Sequence, residues 1–258
     1  MAAGRKSDWA SRITPLALVL AVGGVAAALV GAVGAGRGLW HFRIGFEVLH
    51  YAVWAAAAGA VLALVGLVLT RGRGKPMIGN LVALLVAAGF LLYVGSLIRT
   101  AKSVPSIHDA TTDLDDVPTF QRLAVRADNL EKIPDEDRPD LKGLAPEARW
   151  KAVHRLHYGD LHTLRLAADV PSAVRRAAAL ARSRGWTLAV ADTEAGRVEA
   201  TATSRFFRFK DDIVIRVRPA PGGGSMVDMR SVSRVGQSDL GVNAARVRAF
   251  MADLASGE

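Results

Sequence analysis

PSAVRRAAALARSRGWTLAVADTEAGRVEATA, residues 171–202, carries the change of hydrophobic period that decides the fold of the C-terminal half. Pro171 stands where a helix begins, and Val174, Ala177, Ala178 and Ala181 recur at steps of three and four until Gly185 ends the pattern. An amphipathic helix is expected over 171–184. From Trp186 the period is two: Trp186, Leu188 and Val190, a turn around 194–196, then Val198, Ala200 and Ala202, which reads as two antiparallel strands.

Downstream, Asp211 to Arg218 alternates Ile213, Ile215 and Val217 against Val214, Arg216 and Arg218, Pro219 to Gly224 forms a loop, and Ser225 to Val232 is a further strand. Val247, Phe250, Met251 and Leu254 occupy i, i+3, i+4 and i+7 of a closing helix. Two helices must then cover one face of a sheet of about four antiparallel strands, a two-layer α+β domain over 148–258.

Upstream, residues 101–147 are acidic and broken by proline: Pro105, Pro118, Pro134, Pro139 and Pro146, with Asp113, Asp115, Asp116, Asp135, Glu136 and Asp137. Such composition reads as an extended or loosely ordered connector riding on the C-terminal domain, anchored by Ile107, Leu114 and Phe120. Asp113, Asp115 and Asp116 lack the glycine and terminal glutamate of a calcium loop and read as solvated acids or helix caps.

The first hundred residues hold three uncharged runs, 13–36, 48–70 and 76–98. Crossing the hydrocarbon layer takes roughly 20 apolar residues, so each run suffices as a transmembrane helix. The first is too long for the apolar region of a cleavable signal peptide. Small residues at four-residue spacing, Gly24, Ala28, Ala32 and Gly36 in the first run and Ala55, Gly59 and Ala63 in the second, suggest that these two spans pack together. Trp9, Trp40, Tyr51, Trp54 and Tyr93 fall near the span ends. Residues 34–47 are too apolar for a plain loop and too charged for a span, and read as a short interfacial segment. Six basic residues (Arg5, Lys6, Arg12, Arg71, Arg73 and Lys75) flank one side against four (Arg37, Arg43, Arg99 and Lys102) on the other. That bias favours a cytoplasmic N-terminus and an exported, periplasmic C-terminal domain.

The absence of cysteine excludes disulfides, thiolate metal sites and a cysteine nucleophile. The net charge of +9 on 258 residues first suggests nucleic acid, but it divides as +7 over 1–100, −5 over 101–147 and +7 over 148–258. It is largely a topology signal, and nucleic acid is not an expected partner. No ion pair or proton relay lies within the spans, which argues against a pump or transporter.

The C-terminal half offers several candidate groups. His154, His157 and His162 flank Asp160, but Tyr158-Gly159 breaks the helix, so surface histidines are favoured over a metal site. Asp211 and Asp212, adjacent on a strand, point to opposite faces. Arg205, Arg208, Lys210, Arg216, Arg218, Arg230 and Arg234 fall on or beside the strands. They would form either a cationic face able to hold an anion, or a solvated face paired with the acidic connector. The stretch 231–246 reads as a strand-to-helix corner whose Ser238, Asp239 or Asn243 caps the closing helix.

That corner, DMRSVSRVGQSDLGVNAAR (228–246), together with FRFKDDIVIR (207–216) and IHDATTD (107–113), resembles the bacterial domain of unknown function 1499 family over roughly 103–254. Members with three N-terminal spans look like the whole chain. Tyr158-Gly159-Asp160 departs from the Tyr-Pro-Asp usual there, and the flanking histidines are not part of the pattern. The resemblance implies an envelope-associated domain and no particular activity, with no catalytic residue, cofactor or metal assigned. The matching positions Arg230, Ser231, Ser233, Arg234, Asp239, Asn243 and Arg246 are the candidate ligand or partner site. The expectation is an integral inner-membrane protein, in contact with the lipid bilayer, whose exported domain binds an anionic lipid, glycan or envelope protein. The alternative is an envelope-lipid hydrolase using Asp239 with Ser231 or Ser233.

Overall fold

A computed structural model describes residues 9–71, 74–135 and 137–257. Arg5, Lys6 and Arg73, which enter the orientation count, and Glu136 of the connector lie outside the described residues, as do the side chains of Trp9 and Lys75. The chain forms two compact units, one of residues 1–99 with 205–208 and one of 100–204 with 209–258.

In the first unit three helices, α1 (Trp9–Gly36), α2 (Phe42–Leu69) and α3 (Lys75–Ser103), are long and apolar enough to cross a membrane. The segment read as a separate interfacial stretch is mostly helix. α1 runs to Gly36 and α2 begins at Phe42, so only five residues lie between, and Trp40 closes that turn by donating from Nε1 to the Gly31 carbonyl at 3.0 Å. Small residues let α1 and α2 approach closely: a Cβ on Gly24 would stand 2.9 Å from the Ala52 carbonyl, and one on Gly59 2.8 Å from the Ala21 nitrogen. Ala17, Ala21, Ala56, Ala63, Ala83 and Ala87 are buried together between the three helices. Asn80 of α3, fully buried, donates to Thr70 Oγ1 at the end of α2.

The second unit is α+β. An antiparallel sheet runs in the order β1 (Asp109–Thr111), β6 (Ser225–Ser233), β5 (Lys210–Pro219), β4 (Arg197–Thr203), β3 (Thr187–Asp192), and β2 (Leu164–Leu166) pairs with the other end of β6. Three helices accompany it: α4 (Pro146–Tyr158), α5 (Val170–Ser183) and α6 (Val242–Ser256). Asp169 caps α5 by accepting from the Ser172 N–H at 2.9 Å, with Pro171 in the first turn, where its missing N–H costs nothing. Strand parity sends Val198, Ala202, Ile213, Ile215, Val217, Val227 and Met229 to one face. There they pack against the alanines and Val174 of α5 and against Val247, Phe250 and Leu254 of α6.

The opposite parity puts Arg197, Glu199, Thr201, Asp212, Val214, Arg216, Arg218, Asp228 and Arg230 on the other face. A half-polar face like this ordinarily meets water. Here Glu199, Val214 and Asp228 are fully buried, because residues 112–126 cross the face as an irregular strap. The connector of residues 101–147, read as loosely ordered, is thus packed on this unit, with Ile107, Ile133 and Leu141 buried and Leu114 and Val117 of the strap packed against the core. Phe120, expected as an anchor, is only half-buried and is not among the residues of that core.

Candidate functional site

Three bonded groups hold the strap to the sheet. At its far end the Glu199 carboxylate accepts backbone N–H from Gln121 (2.6 Å), Arg122 (3.0 Å) and Leu123 (2.7 Å), while Arg197 donates to the Thr119 carbonyl. A turn of chain thus closes around one buried anion, the arrangement that backbone donors favour most strongly.

In the middle, Arg216 and Arg218 lie side by side. Both pair with Asp228 of β6 (3.1 and 2.9 Å) and with Asp113 and Asp116 of the strap. Asp228 also accepts from Thr112 and Thr163 hydroxyls, at 3.3 and 2.5 Å. Partial burial works to raise the Asp113 pKa, but the N–H groups of Asp116 and Asp115 and the two guanidinium charges outweigh it and hold the carboxyl below its ordinary range. Asp113 is therefore an ion-pair partner inside the strap and not a solvated acid.

At the near end Arg230 makes a two-pronged pair with Asp109, Nε to Oδ1 at 3.0 Å and Nη2 to Oδ2 at 2.7 Å. Burial would lower the Arg230 pKa, and the Asp109 charge and hydrogen bonds more than reverse that. Asn129 donates to the same carboxylate at 2.6 Å, and Trp150 Nε1 donates to the Asp109 carbonyl. His108 joins from the neighbouring position. Its Nδ1 lies 3.0 Å from the Gln237 carbonyl, and its Nε2 stands 3.0 Å from Asn129 Oδ1 and 2.8 Å from an Arg126 guanidinium nitrogen. The face is accordingly not left cationic, since each sheet arginine on it has an acidic partner within 4 Å.

His154 departs from the expectation of surface histidines. Trp150, Val153, His154 and Tyr158 make the buried stripe of α4, and His154 is 1% exposed. Its Nε2 accepts the Thr111 N–H at 3.0 Å, so a neutral ring carries its proton on Nδ1, which finds no acceptor among the described residues. Burial disfavours the imidazolium and lowers the pKa to about 4, against a smaller opposing pull from Asp109. His157 and His162 are exposed, and Asp160 pairs with Arg248. Among the described residues no group of three acidic or histidine side chains is arranged to hold a metal ion.

The strand-to-helix corner brings Ser231, Ser233, Asn243 and Arg246 into one network. Ser231 Oγ donates to Asn243 Oδ1 (2.6 Å), Asn243 Nδ2 donates to Ser233 Oγ (2.9 Å) and to the His108 carbonyl (3.0 Å), and Arg246 reaches Ser231 Oγ, Asn243 Oδ1 and Asp211. Asp239 accepts the N–H groups of Gly241 and Asn243, closing the turn into α6. Burial raises the Asp239 pKa despite those two donors. Arg234 stands apart, paired with Asp212 on the opposite face. Of the seven positions, then, four share one network, Asp239 abuts it through Asn243, and Arg230 and Arg234 serve separate ion pairs across the sheet. The crevice bordered by Ser233, Arg234 and Arg126 measures about 10 Å³, room for one water.

A family model described as a protein of unknown function, DUF1499, matches residues 109–254. The chain belongs to the DUF1499 family. No curated protein matches it. In this DUF1499 protein the matched segment begins at β1, includes the strap and ends in α6.

Glu199, Asp109, Asp228 and His108 were not singled out from the sequence, although they carry the strap. Parity alone pointed to Glu199: it alternates with Val198 and Ala200 and so had to face away from the helices. For Asp109 and Asp228 no local pattern exists, because their partners lie 121 and 12 residues away respectively.

Proposed function

We propose that this DUF1499 protein is a membrane-anchored binding protein of the bacterial envelope, with its N-terminus in the cytoplasm and its folded unit in the periplasm, and that the unit engages an anionic partner without chemistry. The observation that supports binding over catalysis is the state of the polar corner. Ser231 and Ser233 hydrogen-bond Asn243, both oxygens of Asp239 accept backbone N–H, and Arg246 is tied to Asp211. A serine hydrolase needs a base beside its nucleophile and a site about 3 Å away for the reacting carbon. His108 bonds Ser233 and Asn243 through its backbone carbonyl, and its ring faces the Gln237 carbonyl, Asn129 and Arg126 and not a serine hydroxyl.

The raised pKa of Asp239 is the single feature that favours an acid–base reading, and its two capping bonds account for its position without one. The test is purification of the full-length chain in mild detergent, with mass spectrometry of retained lipids, glycans and proteins. An anionic species retained at low salt and released at high salt is expected. Finding no retained species while the purified protein cleaves an envelope lipid would overturn the reading. Alkaline phosphatase fused after Glu258 should be active, and an inactive fusion with an active cytoplasmic reporter reverses the orientation.

A further inference from the structure

We infer that the open edge of β3 is a docking strand for an extended acidic peptide, which adds to the sheet beside it and sets its acids against the outer flank of α5. The inference rests on the binding reading above and names the chemistry and the place of the partner. Every residue involved belongs to the unit of 100–204 and 209–258.

Three observations carry it. The first is that the two edges of the sheet are finished differently. At one edge the outward groups of β1 are taken by α4: Trp150 Nε1 donates to the Asp109 carbonyl and the Thr111 N–H donates to His154 Nε2, each at 3.0 Å. At the other edge β3 pairs with β4 alone. Among the described residues, no hydrogen bond outside the β3–β4 ladder reaches the backbone of residues 187–191.

The second is composition. Residues 187–191, TLAVA, carry neither a charge nor a proline, the devices that ordinarily keep an exposed edge from pairing. Thr187, Ala189 and Ala191 are exposed. A register shift between Leu188 and Val190 bends the strand but puts no charge on its open side.

The third is charge, and it selects the partner. α5 packs over β3, β4 and β5, and α6 over β6 and β1. Arg176 and Arg184 reach from α5 to α6, donating to the Leu254 carbonyl and to the Ala249 carbonyl and Asp253 carboxylate. At 3.6 residues per turn, Arg175 and Arg182 project from the opposite flank, the one that overhangs the open edge. Both are exposed, and neither takes part in an ion pair among the described residues; Arg175 gives one donor to Ser172 Oγ at 2.9 Å. A peptide strand laid about 4.8 Å beyond β3 carries every second side chain on the helix side of the sheet, where Glu or Asp meets these two guanidinium groups. A second copy of this chain fits less well. Two-fold pairing of β3 with itself puts both α5 helices on one face and turns their Arg175 and Arg182 flanks toward each other. Asp192, in register with Arg197, lies on the strap face and cannot neutralise them.

The probe is a dye-labelled, amidated heptapeptide, Thr-Glu-Val-Glu-Val-Glu-Thr, added to the detergent-purified full-length chain. Binding is read by fluorescence anisotropy and located by hydrogen exchange with mass spectrometry. The expected result is saturable binding with slowed exchange confined to β3. The same peptide N-methylated at every interior residue keeps its charge but loses its backbone donors, and should not bind. Lysine in place of glutamate should also abolish binding. Arg175→Gln with Arg182→Gln should weaken binding about tenfold, as two exposed ion pairs would. An unchanged circular dichroism spectrum would show that this variant still folds.

No binding of the parent peptide at millimolar concentration overturns the inference, as does equal binding of the N-methylated peptide or protection elsewhere than β3. Unchanged affinity in the double variant overturns the role of the α5 flank. Protection of β3 that needs no peptide and rises with protein concentration assigns the edge to a second copy instead. Should an anionic lipid or glycan be retained on purification while β3 stays open to exchange with the peptide present, the docking strand fails and the binding reading stands. Peptide addition at β3 by a protein that also cleaves an envelope lipid keeps the docking strand and overturns binding without chemistry.

Discussion

Replacing Glu199 by glutamine tests whether the strap is held by charge or merely lies on the sheet. The side chain is fully buried, and its two oxygens receive three N–H groups at 2.6–3.0 Å. A glutamine amide can offer its oxygen to Arg122 and Leu123, but its NH2 then faces the Gln121 N–H, donor against donor. The change removes charge-assisted bonds, worth about 1.5–3 kcal/mol, and strands a buried donor at about 1–3 kcal/mol. Since the two overlap, about 3–5 kcal/mol is expected, which for a unit of this size lowers the midpoint by roughly 10 °C.

The assay is thermal unfolding of the full-length chain in detergent, paired with limited trypsin digestion. Released from its anchor, the strap should be cut after Arg122 and Arg126 in the variant well before the wild type. Glu199→Asp keeps the charge on a shorter stem and should fall between the two. A midpoint shift below about 2 °C together with an unchanged digestion pattern would refute the reasoning, because the bonds would then contribute almost nothing beyond what water supplies.

Arg230→Ala should cost more than Arg234→Ala. The first strands the buried Asp109 carboxylate beneath the strap and costs about 3–5 kcal/mol, whereas the second leaves the buried Asp212 carboxylate with its Thr201 hydrogen bond and opens a half-exposed position to water, and costs about 1–3 kcal/mol, both read from denaturant midpoints. Acid should weaken the domain through His154. Its folded pKa near 4 lies below the unfolded value near 6.5, so only the unfolded chain gains a proton between those values, and stability falls as pH drops through that window by on the order of 3 kcal/mol. His154→Gln, which keeps an acceptor for Thr111 and cannot titrate, should flatten that part of the pH curve; an equal slope in both proteins would count against the assignment. In the membrane unit, Gly59→Ile forces a Cβ to within 2.8 Å of the Ala21 nitrogen and should lower the aggregation midpoint in detergent, while Gly89→Ile, which meets nothing within 4 Å, should leave it unmoved.

What the sequence made legible follows from range. The runs of 13–36, 48–70 and 76–98 announce membrane helices because the bilayer imposes a length on each one separately, and α5 with β3 to β6 announces itself by period. β1 and β2, at three residues each, are too short for a period to show, and both exist only because β6 offers an edge. The stripe of α4 was obscured because one of its four buried residues is a histidine, which composition assigns to the surface. The acids of the strap presented the hardest problem. A run of aspartates reads as solvated because local sequence does not reveal that Arg216, Arg218 and Asp228 will converge from distant strands to meet Asp113 and Asp116. The corner residues were found through a family resemblance, and their capping role was already a local reading of Asp239 and Asn243.

The joining of β1 to β6 also governs the order in which this domain can be made. Asp109 and its partner Arg230 are separated by 121 residues, and the strap that leaves β1 has no sheet to cross until β4, β5 and β6 exist. Closing so long a loop is entropically unfavourable until the last strand arrives, so folding is expected to be slow and to occur nearly all at once. A nascent or truncated chain ending before about residue 225 would keep its three helices while leaving the buried acids of the strap without partners. Quality control acting on such chains would therefore meet an anchored but unfolded tail, and not a partly built domain.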